Sequence, residues 1–199
     1  MQRLISRRLF LGATAAGGAL LAALPASAAA VSPTSVFDLA RRELQRLGSS
    51  ISLHDVVGVA DYSLASAQPR FHLVNMNSGA VSSHLVSHGR GSDPQHSGFV
   101  WRFSNLEGSN ASSEGAYRTS DHYYGKHGRS MRLVGLDPTN CNAEQRAIVV
   151  HGAWYVSPLI VRERGVLGRS QGCFAFAESE LDTILTRLGP GRLLVSTKL

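Results

Sequence analysis

Ile148-Val149-Val150-His151-Gly152 is the stretch on which the fold turns. Three branched apolar residues in a row, with no polar alternation, read as a strand covered on both faces. The strand predicted around them spans 147–156 and runs into a histidine and a glycine. Working outward, strands of similar composition are predicted at 56–61, 70–74, 81–86 and 131–136 on one side and at 192–197 on the other. Clusters of Gly, Asn, Ser and Pro bound them. Asn77-Ser78-Gly79, between two of these strands, reads as a hairpin turn. Two stretches have helical spacing instead. Residues 35–47 carry Val36, Leu39, Ala40, Leu44 and Leu47, with Thr34 or Ser35 as cap and Gly48 as stop. Residues 178–188 carry Leu181, Ile184, Leu185 and Leu188 and end at Gly189-Pro190. The expectation is a β-rich fold, all-β or α+β: a sandwich or flattened barrel with one or two peripheral helices.

The ends and the middle of the chain read differently. Residues 1–30 have the parts of an export signal: Arg3, Arg7 and Arg8, then an uncharged apolar run from Leu9 to Leu24, then Ala26-Ser27-Ala28 as a cleavage site. Ser6-Arg7-Arg8-Leu9-Phe10-Leu11 is similar to a twin-arginine signal. The apolar run is short of the ~20 residues a membrane helix needs, so no lasting span is expected once the signal is removed. Residues 31–53 then read as an N-terminal helix and lead-in, and 54–199 as one domain. Three of the twenty Lys and Arg lie in the signal and none of the fourteen acids do, which leaves +3 on the remainder. With no basic run interleaved with aromatics, a nucleic-acid surface is not supported. A mild positive charge suits an anionic polymer outside the cell membrane. Residues 89–130 are rich in Gly, Ser, Asn and His but hold Phe99, Trp101, Phe103, Tyr117, Tyr123 and Tyr124. A long loop with that many aromatics is expected to form the wall of a binding groove.

The chemistry is expected at Gly168-Arg169-Ser170-Gln171-Gly172-Cys173. A cysteine directly after a glycine in a turn is presented on an exposed corner, and glycine allows close backbone approach. Successive N–H groups at such a corner can stabilise an oxyanion. The thiol attacks as a thiolate, which a nearby histidine can generate, and His151 ends a strand that can meet this loop at one sheet edge.

At these residues the chain resembles the L,D-transpeptidase (YkuD-type) family of bacterial cell-wall enzymes. That family's pattern is a histidine, a gap of somewhat under twenty residues, then Ser/Thr-His-Gly-Cys. The matching positions are His151, Ser170, Gln171, Gly172 and Cys173, with Gln171 where most members have a second histidine. The departures look like a sub-branch with the motif Gly-Arg-Ser-x-Gly-Cys. Its other segments correspond to 87–92, 103–105 and 112–117. The resemblance implies Cys173 as nucleophile, His151 as base, and the Gly152 carbonyl as the group orienting His151. It implies an oxyanion hole from the N–H groups of Gln171, Gly172 and Cys173. Arg169, Ser170, His88 and Tyr117 are the candidate substrate-binding residues. The implied reaction is transfer of a peptidoglycan stem peptide to a diamino-acid amine with release of D-alanine, without metal or cofactor, and with carbapenem-type inhibitors acylating the thiol. Trimming of stem peptides by water and plain peptidoglycan binding remain open.

Other readings stand beside these. Cys141 and Cys173 can form one disulfide in an oxidising compartment. His84, His88, His96, His122 and His127 invite a metal reading, although their spacing is loose. His88 is the alternative base.

Overall fold

The apolar run at 56–61 forms β1, Val56–Asp61, and all six of its residues are buried. The computed structural model that shows this describes residues 33–199; the predicted export signal lies outside the described residues. Burial on both faces explains why β1 lacks alternation. Val56 and Ala60 face one core, and Val57 and Val59 face another.

β2 (Phe71–Asn75) and β3 (Val81–His84) follow as a hairpin on the edge of β1. Its turn is Asn77-Ser78-Gly79 as expected, held by Asn75 Oδ1, which accepts the N–H groups of Asn77 and Ser78. Beyond β1 come β8 (Leu193–Thr197), β4 (Gly115–Gly125), β5 (Gly128–Gly135), β6 (Val149–Gly152) and β7 (Phe174–Phe176). The eight strands form one mixed sheet in the order β3-β2-β1-β8-β4-β5-β6-β7. β1 pairs β8 in parallel, as β6 pairs β7; the other neighbours are antiparallel. Just past β3 the chain returns to the far edge, where Ser87 N–H donates to Ala175 O at 3.0 Å. The sheet thus curls until its two edges meet, a flattened barrel in an α+β setting.

Three helices pack on it. α1 (Pro33–Leu47) lays Val36, Ala40 and Leu44 on Val57, Val59, Leu193 and Val195. It begins at Pro33, ahead of the predicted caps; the fixed backbone angle of proline suits the first position of a helix. α3 (Glu178–Leu188) buries Ile184, Leu185 and Leu188 against Phe71, Phe176 and Leu194. α2 (Pro158–Arg164) was not expected. Ser157 Oγ caps it by accepting the Ile160 N–H, and Gly165 at φ +71° ends it.

Two expectations are corrected. The predicted strand 147–156 is shorter, since after Gly152 the chain turns into α2. The predicted long loop ends at Ser113–Glu114, and its remainder is β4 and the start of β5. Tyr117, Thr119, Tyr123 and Tyr124 favour a pleated strand, and a bulge between Thr119 and His122 hides the alternation that would have signalled one.

Candidate active site

Parallel pairing of β6 and β7 sets His151 opposite Ala175 and Val150 opposite Phe174. Cys173, one residue before β7, therefore enters beside Val149. Val149 and His151 point to the same side of β6, since strand side chains alternate. Val149, His151 and Cys173 line a groove of about 590 Å³. Ala147, Tyr155, Arg169, Ser170 and Gln171 extend the lining near the cysteine. Glu107, Gly108 and Asn110 come from the loop before β4, Gln145 and Arg146 from the turn before β6, and Tyr123, Lys126 and His127 from the β4–β5 hairpin.

His151 is buried apart from its approach to the groove, and its Nδ1 lies 2.8 Å from the Gly152 carbonyl. A carbonyl only accepts, so Nδ1 carries the proton and Nε2 of the neutral ring is left as acceptor. Burial pushes the imidazole below its ordinary range, and Lys126 and His127 add to this, against the Gly152 carbonyl. Burial pushes the Cys173 thiol up, against the backbone of Val149 and of Cys173 itself and the charges of Lys126 and Arg146. At rest, therefore, the groove holds a neutral thiol and a neutral imidazole. The thiol is 3.5 Å from the Ala147 carbonyl, its acceptor. Ala147 holds φ +51°, a region non-glycine residues rarely adopt. Both cysteines are free, and Cys141 is exposed with Asn105 Nδ2 at 3.2 Å from its sulfur.

The turn before Cys173 is held from inside. Ser170 N–H donates to His88 O and Arg90 N–H to Ser170 O, both at 2.9 Å. Ser170 Oγ donates to the Cys173 carbonyl at 2.7 Å and accepts the Gly172 N–H at 3.1 Å. Of the expected trio of oxyanion donors, Gly172 is buried and its N–H is given to Ser170 Oγ. Only Gln171 and Cys173 of the three line the groove. Gly172 stands at φ +114°, and a Cβ there would meet the Ala111 carbonyl at 2.7 Å. Gly172→Ala is expected to leave the chain folded, lower its melting temperature by a few degrees, and slow alkylation of Cys173 by iodoacetamide about 100-fold by displacing the thiol. Intact mass against time measures the rate; an unchanged rate would show that the turn tolerates the Cβ.

His88 and Tyr117 are not in the groove. His88 is 1% exposed and sits in a buried chain: Arg70 Nη2 donates to its Nδ1 at 2.6 Å, and its Nε2 lies 3.3 Å from Asp93 Oδ2. Burial first, and the Arg70 charge second, push the imidazole down to about 3, so His88 is neutral. Burial lowers Arg70 to about 10, and it remains a cation at neutral pH. Burial works against the Asp93 carboxylate, yet the N–H groups of Ser97 and Gly98 and the Ser97 hydroxyl hold it below its usual range. The Asp93 carbonyl accepts from Arg169 Nη1, which ties the groove residue Arg169 to this chain. Tyr117 is wholly buried against Phe174, and its hydroxyl donates to Ser113 O at 3.0 Å. Both side chains, expected to bind substrate, are buried behind the groove and do not line it.

The sequence pattern of the L,D-transpeptidase catalytic domain matches residues 28–196. The chain belongs to that family. No curated protein matches it. Among solved structures it is similar to an L,D-transpeptidase from Mycobacterium tuberculosis H37Rv (16% identity, TM-score 0.45, 71% of this chain and 57% of that one). It is also similar to L,D-transpeptidase 3 from Mycobacterium tuberculosis in complex with a faropenem-derived adduct (14%, 0.45, 72% and 60%). A third is LD transpeptidase LdtMt1 in complex with imipenem (14%, 0.42, 71% and 58%). The chain thus spans less than two thirds of the length of these solved chains. In this L,D-transpeptidase domain the histidines of the metal reading are scattered. His84 meets Glu180, His96 donates to the Leu167 carbonyl, and His127 stacks on His151. Among the described residues no group of three His, Cys, Asp or Glu could hold a metal ion.

Sequence reasoning missed Arg146, Lys126, Tyr155 and the place of His127. Arg146 lines the groove and donates to the Ser104 and Ala111 carbonyls and the Ser109 and Ser113 hydroxyls. An isolated Arg before a strand carries no signal of this.

Proposed function

We propose that this domain is a peptidoglycan L,D-transpeptidase that acts outside the cytoplasm, with residues 1–30 as a removed export signal of the twin-arginine kind. The domain of 54–199 carries the reaction, and 31–53 leads into it. Cys173 is the nucleophile and His151 the base. As Sγ attacks the carbonyl between the third and fourth residues of a stem peptide, His151 Nε2 takes the thiol proton. The N–H groups of Gln171 and Cys173 stabilise the oxyanion. Collapse breaks the C–N bond, and His151 returns the proton to the departing D-alanine amine. A thioester remains. The side-chain amine of a second stem's diamino acid attacks it, gives its proton to His151, and releases Cys173 with a 3→3 cross-link. Arg169 and Ser170, in this reading, help to seat the donor.

The observation that carries the reading is the pairing of β6 with β7. It brings His151 and Cys173 to one groove, with Nδ1 of His151 occupied by the Gly152 carbonyl and Nε2 free. The family match supports the reaction type. The test is incubation with tetrapeptide muropeptides, followed by chromatography and mass spectrometry. Cross-linked dimers with free D-alanine are expected from the parent chain and not from His151→Ala. Tripeptide monomers with free D-alanine would mean a carboxypeptidase, and bound but unchanged muropeptide a wall-binding module.

A further inference from the structure

We propose that His127 is a positioning residue for His151, holding the plane of its imidazole so that Nε2 faces the thiol. The proposal rests on the reading of His151 as base. Lys126 and His127 form the two-residue turn between β4 and β5, bracketed by the paired Gly125 and Gly128. On β5, Ser130 lies opposite His151. The turn three residues earlier thus overhangs the end of β6. There the His127 ring lies on the His151 ring, centroids 4.3 Å apart and planes 23° apart.

The stack supplies what the Gly152 carbonyl cannot. A single hydrogen bond at Nδ1 leaves the ring free to swing about that bond. A flat partner on its face removes the swing, so that two contacts fix the ring and leave Nε2 as the one polar atom to act. The stack also keeps water off that face, since His151 is 2% exposed while His127 is exposed. The hairpin itself is braced on both strands: Arg132 lies over the Tyr123 ring at 4.4 Å, and Arg129 pairs with Asp182 of α3.

The test uses the full chain carrying Cys141→Ser, so that one thiol reacts. Iodoacetamide is the first probe, read by intact mass at neutral pH. His127→Ala should slow alkylation of Cys173 roughly tenfold, and His127→Phe, which keeps a flat ring, should recover most of the rate. Thermal midpoints should stay unchanged in both. With imipenem as second probe, His127→Ala should lower the saturating acylation rate and leave the half-saturating concentration as it was. Alkylation of His127→Ala at the parent rate overturns the proposal, as does a His127→Phe as slow as His127→Ala. His151→Ala separates the two levels. If it is slow while His127→Ala is not, only the positioning role fails. If it reacts at the parent rate, the assignment of the base fails, and this proposal with it.

Discussion

Incubation with imipenem is expected to add one covalent adduct to the chain, and peptide mapping to place it on Cys173. The thiol attacks the lactam carbonyl, the ring C–N bond opens, and the ring nitrogen takes the proton that His151 first removed from sulfur. Cys173→Ala should abolish the adduct, and turnover of muropeptides with it. Cys173→Ser should react negligibly, because a hydroxyl needs stronger base activation than a thiol. Cys141→Ser should react as the parent does, since Cys141 is exposed in a turn beside Asn105 and Pro138, away from the groove. An adduct on Cys141, or one that survives Cys173→Ala, would remove Cys173 as nucleophile. A loss of two mass units in the untreated chain, with reactivity only after reduction, would mean that the two cysteines pair in solution.

The second large effect is on stability. Arg70→Ala is expected to cost about 3–5 kcal/mol, the range for breaking a buried charge network on one side. Arg70 is fully buried. Besides His88 it donates to the Val86 carbonyl at 3.1 Å and the Leu64 carbonyl at 2.9 Å, and it lies over the Tyr62 ring at 4.8 Å. Truncation leaves those acceptors unpaired and opens a cavity, while the Asp93 carboxylate loses a buried countercharge. Calorimetry should show the melting temperature falling by roughly 10 °C for a domain of this size. Arg70→Lys should fall nearly as far, because an ammonium cannot reproduce three separate contacts of a planar fork. A shift within about 2 °C would mean that the network is not coupled to global folding.

How much of this was legible in the sequence depended on where each signal resides. β1, α1, α3 and the β2–β3 turn were legible because local patterning fixes them: an unbroken apolar run, apolar residues at helical spacing, and Asn-Ser-Gly between strands. β7 has three residues, Phe174–Phe176, too few for any periodicity, and it exists because β6 and the returning chain at Ser87 flank it. α2 is a seven-residue helix whose cap, Ser157-Pro158, directly follows what reads as a strand and is too short for a helical pattern to stand out. In the site, the glycine before Cys173 and the strand-end position of His151 are local signals. The approach of His127 and Lys126 is not, since a hairpin's reach depends on sheet curvature. Burial is likewise invisible locally. His88 and Tyr117 read as groove residues, because a histidine or tyrosine among glycines and serines looks exposed until the layers behind it are known.

β8 follows every other strand in the chain, yet it lies inside the sheet, with β1 on one side and β4 on the other. Val57, near the start of the domain, finds its parallel partner in Leu193. On the ribosome, then, the segments that emerge first must wait, because β1 and β4 have no shared edge until residues 193–197 are free to slip between them. Assembly is bound to be late and dominated by distant pairings, a route that is slow and exposes unpaired strand edges meanwhile. A nascent chain stalled before residue 193 holds Cys173 and His151 already synthesised but no closed sheet to present them. The groove that His151 and Cys173 share therefore comes into being only when the whole domain does.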